Sequence, residues 1–310
     1  MVYEKVKRCV IICGPTAAGK TSLAIEISKK IGGEVINADS RQIYRFMDIG
    51  TGKPAPEERK EVPHHLIDLI NPDERFDAGR FIEMADRAYD EIVKRERFPV
   101  VVGGTGLYIR AFEKGLIPSP PIPQEIKEEI LRIKEEKGAG YLYEELKKVD
   151  PETASRVAPG DFPRIERALS YYLATGQKIS EIRKKHGFKE NRYETLKIYI
   201  EPPRDVLYQS IKKRIYDMIK RGWIEETERL LNMGYDENSP GFTSVGYREI
   251  ARFIRGEVNM ESAIASIYKK TKDYARRQIF WFRKENSLKI DAPDVSRVLE
   301  VVEKFYEICS

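Results

Sequence analysis

Short apolar runs alternate along the chain with longer stretches in which apolar residues return at helical spacing, which predicts strands and helices in turn. Residues 6–13 close on Cys9-Val10-Ile11-Ile12-Cys13, a run suited to a strand buried on both faces of a parallel sheet. Leu23, Ile27 and Ile31 recur at every fourth position and predict a helix. Residues 34–39 (Glu-Val-Ile-Asn-Ala-Asp), 65–69 (His-Leu-Ile-Asp-Leu), 99–102 (Pro-Val-Val-Val) and 196–200 (Leu-Lys-Ile-Tyr-Ile) predict further strands. Between two of them, residues 81–96 place Phe81, Ile82, Ala85, Ala88, Tyr89, Ile92 and Val93 on one helical face.

The pattern changes after the proline-rich connector at 117–123, Ile-Pro-Ser-Pro-Pro-Ile-Pro. Highly charged, helix-forming sequence follows to about residue 193. Helices are predicted over 124–136, 141–149 and 161–175, the last with Ile165, Ala168, Leu169, Tyr172 and Leu173 inward and Arg164 and Arg167 outward. Residues 178–192 add Arg183, Lys184, Lys185, His186, Lys189 and Arg192, a run that a solvated face also explains. Beyond Pro202 and Pro203, helices are predicted over 204–221, 224–233 and 261–284, with a loop at 241–247. The expected fold is α/β: a P-loop-like parallel-sheet core with a helical C-terminal part, over residues 1–118 and 194–310, and an inserted helical domain over 119–193.

Composition narrows this picture modestly. With 310 residues and 41% hydrophobic content the chain can bury a sizeable core, and no apolar stretch approaches a membrane span. Cys9, Cys13 and Cys309 form no C-x-x-C pair, which points to a reducing cytoplasm. The net charge of +5 is mild, so the location of the basic residues matters more than their sum. They concentrate on the last long helix, where Lys269, Lys270, Lys272, Arg276, Arg277, Arg283 and Lys284 interleave with Tyr268, Tyr274, Phe280 and Trp281. Basic and aromatic side chains together suit RNA, although some of those rings are expected in the core.

Residues 14–21 carry the sharpest chemistry. Gly14, Pro15, Thr16, Ala17, Ala18, Gly19, Lys20 and Thr21 fit G-x-x-x-x-G-K-[ST] between a predicted strand and a predicted helix. Such a loop turns consecutive backbone N–H groups onto phosphate oxygens, with the lysine as a point charge and the threonine hydroxyl offered to magnesium. Asp39 ends the second strand and should face the same crevice as Lys20, because ligands of open parallel sheets sit outside the strands' carboxyl ends. Gly103, Gly104, Thr105 and Gly106 stand where a magnesium-binding aspartate would end the strand of an ordinary phosphate-loop ATPase. The glycines leave room for a substrate, and Thr105 offers a polar contact. Adjacent His64 and His65 point to opposite faces of a strand and are read as structural.

These stretches, together with Asp39-Ser40-Arg41-Gln42, residues 49–54 (Ile-Gly-Thr-Gly-Lys-Pro), 103–108 (Gly-Gly-Thr-Gly-Leu-Tyr), 164–169 (Arg-Ile-Glu-Arg-Ala-Leu), 245–247 (Val-Gly-Tyr) and 274–283 (Tyr-Ala-Arg-Arg-Gln-Ile-Phe-Trp-Phe-Arg), resemble the tRNA dimethylallyltransferases of bacterial type. The likeness spans nearly the whole chain in the expected order. It implies transfer of a dimethylallyl group from dimethylallyl diphosphate to the exocyclic amine of the adenosine 3′ of the anticodon, in tRNAs reading codons that begin with U. Asp39 matches the family's proposed base, and Thr105 lines the channel that holds the flipped adenosine. Lys20, Thr16, Thr21, the loop amides and magnesium, with Thr21 as the metal contact, would stabilise the leaving diphosphate. Arg214 and Arg277 are both candidates for its arginine.

The resemblance assigns tRNA contacts to Asp39, Ser40, Arg41 and Gln42, and to Pro163, Arg164, Ile165, Glu166 and Arg167. It adds Thr243, Ser244, Val245, Gly246, Tyr247 and Arg248, then Asp273, Tyr274, Ala275, Arg276, Arg277, Gln278, Ile279 and Phe280, with Lys127 as another contact. The expected partner is the anticodon stem-loop, the protein acting as a monomer away from membranes. Ala18 stands where serine is frequent in the family. No Cys–His set follows the last helix, so the zinc-binding extension of eukaryotic relatives is not expected. Three other readings use the same loop: a nucleoside or metabolite kinase, an adenylate isopentenyltransferase, and a nucleotide-gated RNA binder without group transfer. The strand end at Gly103–Gly106 and the basic helical parts weigh against the kinase, the distant Arg164, Arg167 and Arg277 surfaces weigh against the free-nucleotide enzyme, and tolerance of Asp39 loss would distinguish the RNA binder.

Overall fold

The computed structural model describes residues 7–117, 120–187 and 191–307; residue 6, residues 118 and 119 of the proline connector, Lys189 and Cys309 lie outside the described residues. Among those residues six parallel strands form one sheet: β1 (Arg8–Cys13), β2 (Gly33–Asn37), β3 (His64–His65), β4 (Phe98–Gly103), β5 (Glu194–Ile200) and β6 (Leu288–Ile290), in the order β3-β2-β4-β1-β5-β6. β1 lies at the centre, with Val10 opposite Val100 and Leu196, and Cys13 opposite Gly103 and Tyr199. That register brings residues 14, 104 and 201 to one edge.

Helices α1 (Lys20–Ile31), α2 (Pro56–Glu61), α3 (Ala78–Lys94) and α4 (Gly106–Lys114) connect the first strands. Leu23, Ile27 and Ile31 of α1 share one core with Val10, Ile12, Val35 and Val100, each such side chain being worth about 1.5–3 kcal/mol on burial. After β5 come α9 (Arg204–Lys220), α10 (Trp223–Asn232), α11 (Tyr247–Ile254) and α12 (Met260–Phe282), then β6 and α13 (Val295–Tyr306). The chain divides into two compact units, residues 1–114 with 191–310, and residues 115–190. The second contains α5 (Gln124–Val149), broken at Gly138, α6 (Pro151–Ala154), α7 (Phe162–Thr175) and α8 (Ile179–His186). Its own core includes Ile130, Leu142, Leu146, Ile165 and Leu169, and the buried Asp150 carboxylate accepts the N–H groups of Thr153 and Ser180.

Three local expectations need correction. The third strand stops at His65 because Leu66 and Asp68 take left-handed φ angles of 63° and 57°, which a strand does not allow. Val93 is exposed, since the buried stripe of α3 runs through Phe81, Ala85, Ala88 and Ile92 and the next residue points about 100° away. On α7, Tyr171 is buried, Tyr172 is half-buried and Leu173 is exposed, because Tyr171 joins the core that Ile179 of α8 shares.

Candidate active site

The phosphate loop grows out of β1 at the edge where β4 and β5 also end. Gly14 lies so close to β5 that a Cβ there would meet the Ile200 carbonyl oxygen at 2.4 Å. Gly19, at φ 84°, caps α1 without a side chain. Lys20 Nζ donates to the Pro15 carbonyl at 2.7 Å. Burial draws the Lys20 pKa down to about 8; the Asp39 carboxylate opposes this and Arg214 adds to it. The loop is tied sideways to α12: Gln278 Oε1 accepts the Thr16 N–H at 2.8 Å while its Nε2 donates to Gly104 O at 2.9 Å.

Asp39 follows β2 by two residues. Its Oδ1 accepts the Arg41 N–H at 2.9 Å, a short-range turn that leaves the other oxygen for a ligand. Thr105 Oγ1 accepts the Ser40 N–H at 2.9 Å and donates to Ser40 Oγ at 3.2 Å, so the Gly-Gly-Thr-Gly turn and the segment after β2 hold each other. Arg41 reaches across to Thr243 Oγ1 at 2.6 Å, and the buried Gln42 donates to Gly52 O at 3.0 Å. Of these groups Asp39, Arg41 and Thr243 border a cavity of about 340 Å³. Thr16, Asp39, Arg41, Arg214, Tyr274 and Arg277 supply polar lining, and Ala17, Ile211, Ile215, Met218, Val245 and Ile267 supply apolar lining.

Arg214 has no hydrogen-bond or ion-pair partner among the described residues. Burial lowers its pKa and the Asp39 charge works against that shift. Its guanidinium lies against Gly52, φ 64°, where a Cβ would stand 1.8 Å from Nη2, so a side chain at 52 and this arginine exclude each other. Burial raises the Tyr274 hydroxyl, with Asp39 adding to the effect. No group of three or more His, Cys, Asp or Glu among the described residues could hold a metal ion. Thr21 is half-buried at the first turn of α1.

The remaining candidates divide by exposure. Thr243, Arg248, Arg276, Arg277 and Phe280 are exposed, and Val245, Asp273 and Tyr274 half-buried. Ser244, Gly246, Tyr247, Ala275, Gln278 and Ile279 are buried and present little surface to a macromolecule. In the second unit Lys127, Pro163, Arg164 and Arg167 are exposed, Glu166 is half-buried and Ile165 is core. The cavity residues that the sequence did not single out are Trp223, Ile267 and Thr271, and Ile211, Ile215 and Met218. The helical spacing of the last three on α9 was visible, but nothing in it distinguishes a cavity wall from a core stripe.

A family profile described as IPP transferase matches residues 42–285. The chain is 41% identical over 304 residues to tRNA dimethylallyltransferase 1 of Syntrophotalea carbinolica, covering 97% of both chains. The chain belongs to the IPP transferase family, that of the tRNA dimethylallyltransferases. Another relative, the tRNA dimethylallyltransferase of Geobacter metallireducens, is 42% identical over 93% of each chain. Among solved structures, the tRNA isopentenylpyrophosphate transferase of Bacillus halodurans superposes with a TM-score of 0.71 at 33% identity, covering 97% of this chain and 96% of that one. A eukaryotic dimethylallyltransferase acting on tRNA gives 0.85 at 27% identity, covering 97% of this chain and 80% of that one. The P-loop-like core is thus a feature of the family's fold, and no helix among the described residues is long and apolar enough to cross a membrane.

Proposed function

We propose that the protein transfers a dimethylallyl group from dimethylallyl diphosphate to the exocyclic amine of the adenosine 3′-adjacent to the anticodon, position 37, in tRNAs reading UNN codons. Diphosphate is released. The observation that carries this reading is one cavity that joins a phosphate loop, an unpartnered arginine and a carboxylate to an apolar wall. A donor with an anionic head and a hydrocarbon tail needs that combination, and an acceptor amine needs the carboxylate.

As the allylic C–O bond breaks, its electron pair leaves with the diphosphate. The loop's remaining backbone N–H groups (Pro15 has none and that of Thr16 goes to Gln278), Lys20 and Arg214 stabilise the growing charge because the fold already orients them. Arg214 is the better choice for the diphosphate arginine: it couples electrostatically to Lys20 and Asp39, whereas Arg277 is exposed and stacks near Tyr274. The amine nitrogen bonds to the allylic carbon, and Asp39 accepts the proton that it sheds. Thr105, bonded to Ser40, holds the wall beside it. The donor set fits magnesium that arrives with the diphosphate: Thr21 supplies one hydroxyl, and an ion bound through phosphates and its own waters needs no cage of carboxylates. Bound there, magnesium would neutralise charge on the leaving group.

Exposed Thr243, Arg248, Arg276, Arg277 and Phe280, with Lys127, Pro163, Arg164 and Arg167 of the second unit, are proposed to contact the anticodon arm. We place the reaction in the cytoplasm, carried out by a monomer. The test is to incubate protein and magnesium with unmodified tRNA and radiolabelled dimethylallyl diphosphate, with AMP and ATP arms, and to analyse the digested nucleosides. Label in isopentenyladenosine from tRNA alone supports the proposal. Label on AMP points to a free-nucleotide enzyme, and ATP turnover without transfer points to a kinase or an ATP-driven RNA binder.

A further inference from the structure

A buried carboxylate outside the motifs joins two loops that line the cavity. Glu226, on α10, is 1% exposed. One oxygen accepts the backbone N–H of Asp48 at 2.8 Å and of Ile49 at 2.7 Å; the other accepts the Gly50 N–H at 3.1 Å and the Tyr247 hydroxyl at 2.7 Å. Trp223, one helical turn earlier, fills the space between the same loops: a Cβ on Gly50 would lie 2.0 Å from its Nε1, and a Cβ on Gly246 would lie 2.1 Å from its ring. The loop so held is the one on which Arg214 rests at Gly52.

We infer that Glu226 is a positioning residue for the diphosphate, fixing the 48–52 loop so that Arg214 lies where the leaving group forms. The inference rests on the reading of this cavity as the donor site. Four donors converge on one carboxylate, and only an acceptor with two oxygens satisfies them. Glutamine has one acceptor oxygen and would turn its own N–H₂ towards backbone N–H groups. The loop must then move, and the surface beneath Arg214 moves with it.

The experiment is a double-mutant cycle read by calorimetric titration with magnesium pyrophosphate, using wild type, Glu226→Gln, Arg214→Ala and the double variant. If Glu226 acts through Arg214, Glu226→Gln weakens binding about tenfold in the wild-type background, and the loss largely vanishes once Arg214 is removed. Binding by Glu226→Gln within twofold of wild type overturns the inference, as does an equal loss in both backgrounds, which marks a merely structural role. Should Glu226→Gln fail to fold, Tyr247→Phe removes one of the four bonds and carries the same cycle. It is expected to lose about threefold, and unchanged binding overturns the inference equally. A wild-type protein that does not bind magnesium pyrophosphate refutes the donor-site reading itself, a result distinct from either of these.

Discussion

Lys20→Met should make the empty protein more stable while abolishing efficient turnover. In the folded chain the Lys20 pKa is drawn from 10.5 to about 8, chiefly by burial. At 1.36 kcal/mol per pH unit the charged lysine therefore costs about 3 kcal/mol in the absence of a ligand. The direction in pH follows from which state holds the proton. Between about 8 and 10.5 the unfolded chain keeps the Lys20 proton and the folded chain releases it, so wild-type stability rises with pH across that window. The cost is full below about 8 and gone above about 10.5. Methionine fills similar volume without charge but leaves the Pro15 carbonyl without its 2.7 Å donor, which returns about 1 kcal/mol of loss. The net expectation is a gain of about 2 kcal/mol at pH 7, shrinking to zero or slightly below it by pH 10.5. Both tryptophans, Trp223 and Trp281, lie in the unit that holds the cavity, so urea unfolding followed by their fluorescence reports the relevant transition. Magnesium pyrophosphate should then reverse the order by stabilising wild type more than the variant. A Lys20→Met protein less stable at pH 7, or a difference that does not change with pH, would show that the buried Lys20 charge does not cost the empty protein stability.

Asp39→Ala should lower single-turnover transfer by about 10²–10⁴-fold while tRNA affinity in a filter-binding assay stays near wild type; intact turnover removes Asp39 from the role of base. Arg214→Ala should reduce kcat by about 10²–10³-fold with weaker donor binding, whereas Arg277→Ala should mainly weaken tRNA binding and flatten its salt dependence by about one in slope. Steady-state kinetics at several salt concentrations separates the two, and a reversed pattern exchanges their assignments. Gln278→Leu strands the Thr16 N–H and the Gly104 carbonyl in a buried place, at about 1–3 kcal/mol for each group. Its thermal and pyrophosphate titrations should show lower stability and weaker phosphate-loop binding together, and unchanged values for both would show that the loop does not depend on α12.

The sheet was legible because β1 and β4 are apolar runs buried almost throughout, which few other structures require, while β5 ends in the buried Ile198, Tyr199 and Ile200. β3 was read too long, over 65–69, and β6 was missed. The first is cut to His64–His65 by the positive φ angles after it, and the second is only Leu288–Ile290. α4 and α11 were missed for a shared reason: each begins directly from a glycine-containing motif, which reads as a turn until its chain continuation is seen. Within the site, the phosphate loop and Asp39 announced themselves because chemistry constrains both residue type and spacing there. The role of Gly52 did not, since its necessity comes from Arg214, 162 positions away in the chain. Glu226 carried no signal at all: it is one acid on a charged helix, and only the fold turns it inward. Arg214 and Arg277 looked equivalent in the sequence, and what separates them is burial and proximity to Lys20.

On the proposed function, this phosphate loop serves a prenyl diphosphate whose carbon is taken by the amine of one tRNA adenosine. The most direct measurement offers labelled dimethylallyl diphosphate and magnesium to two transcripts of one UNN-reading tRNA, identical except for adenosine or guanosine immediately 3′ of the anticodon. Label recovered as isopentenyladenosine from the first transcript and none from the second is the predicted result. Equal labelling of both, or no labelling of either under conditions where magnesium pyrophosphate binds, would contradict it.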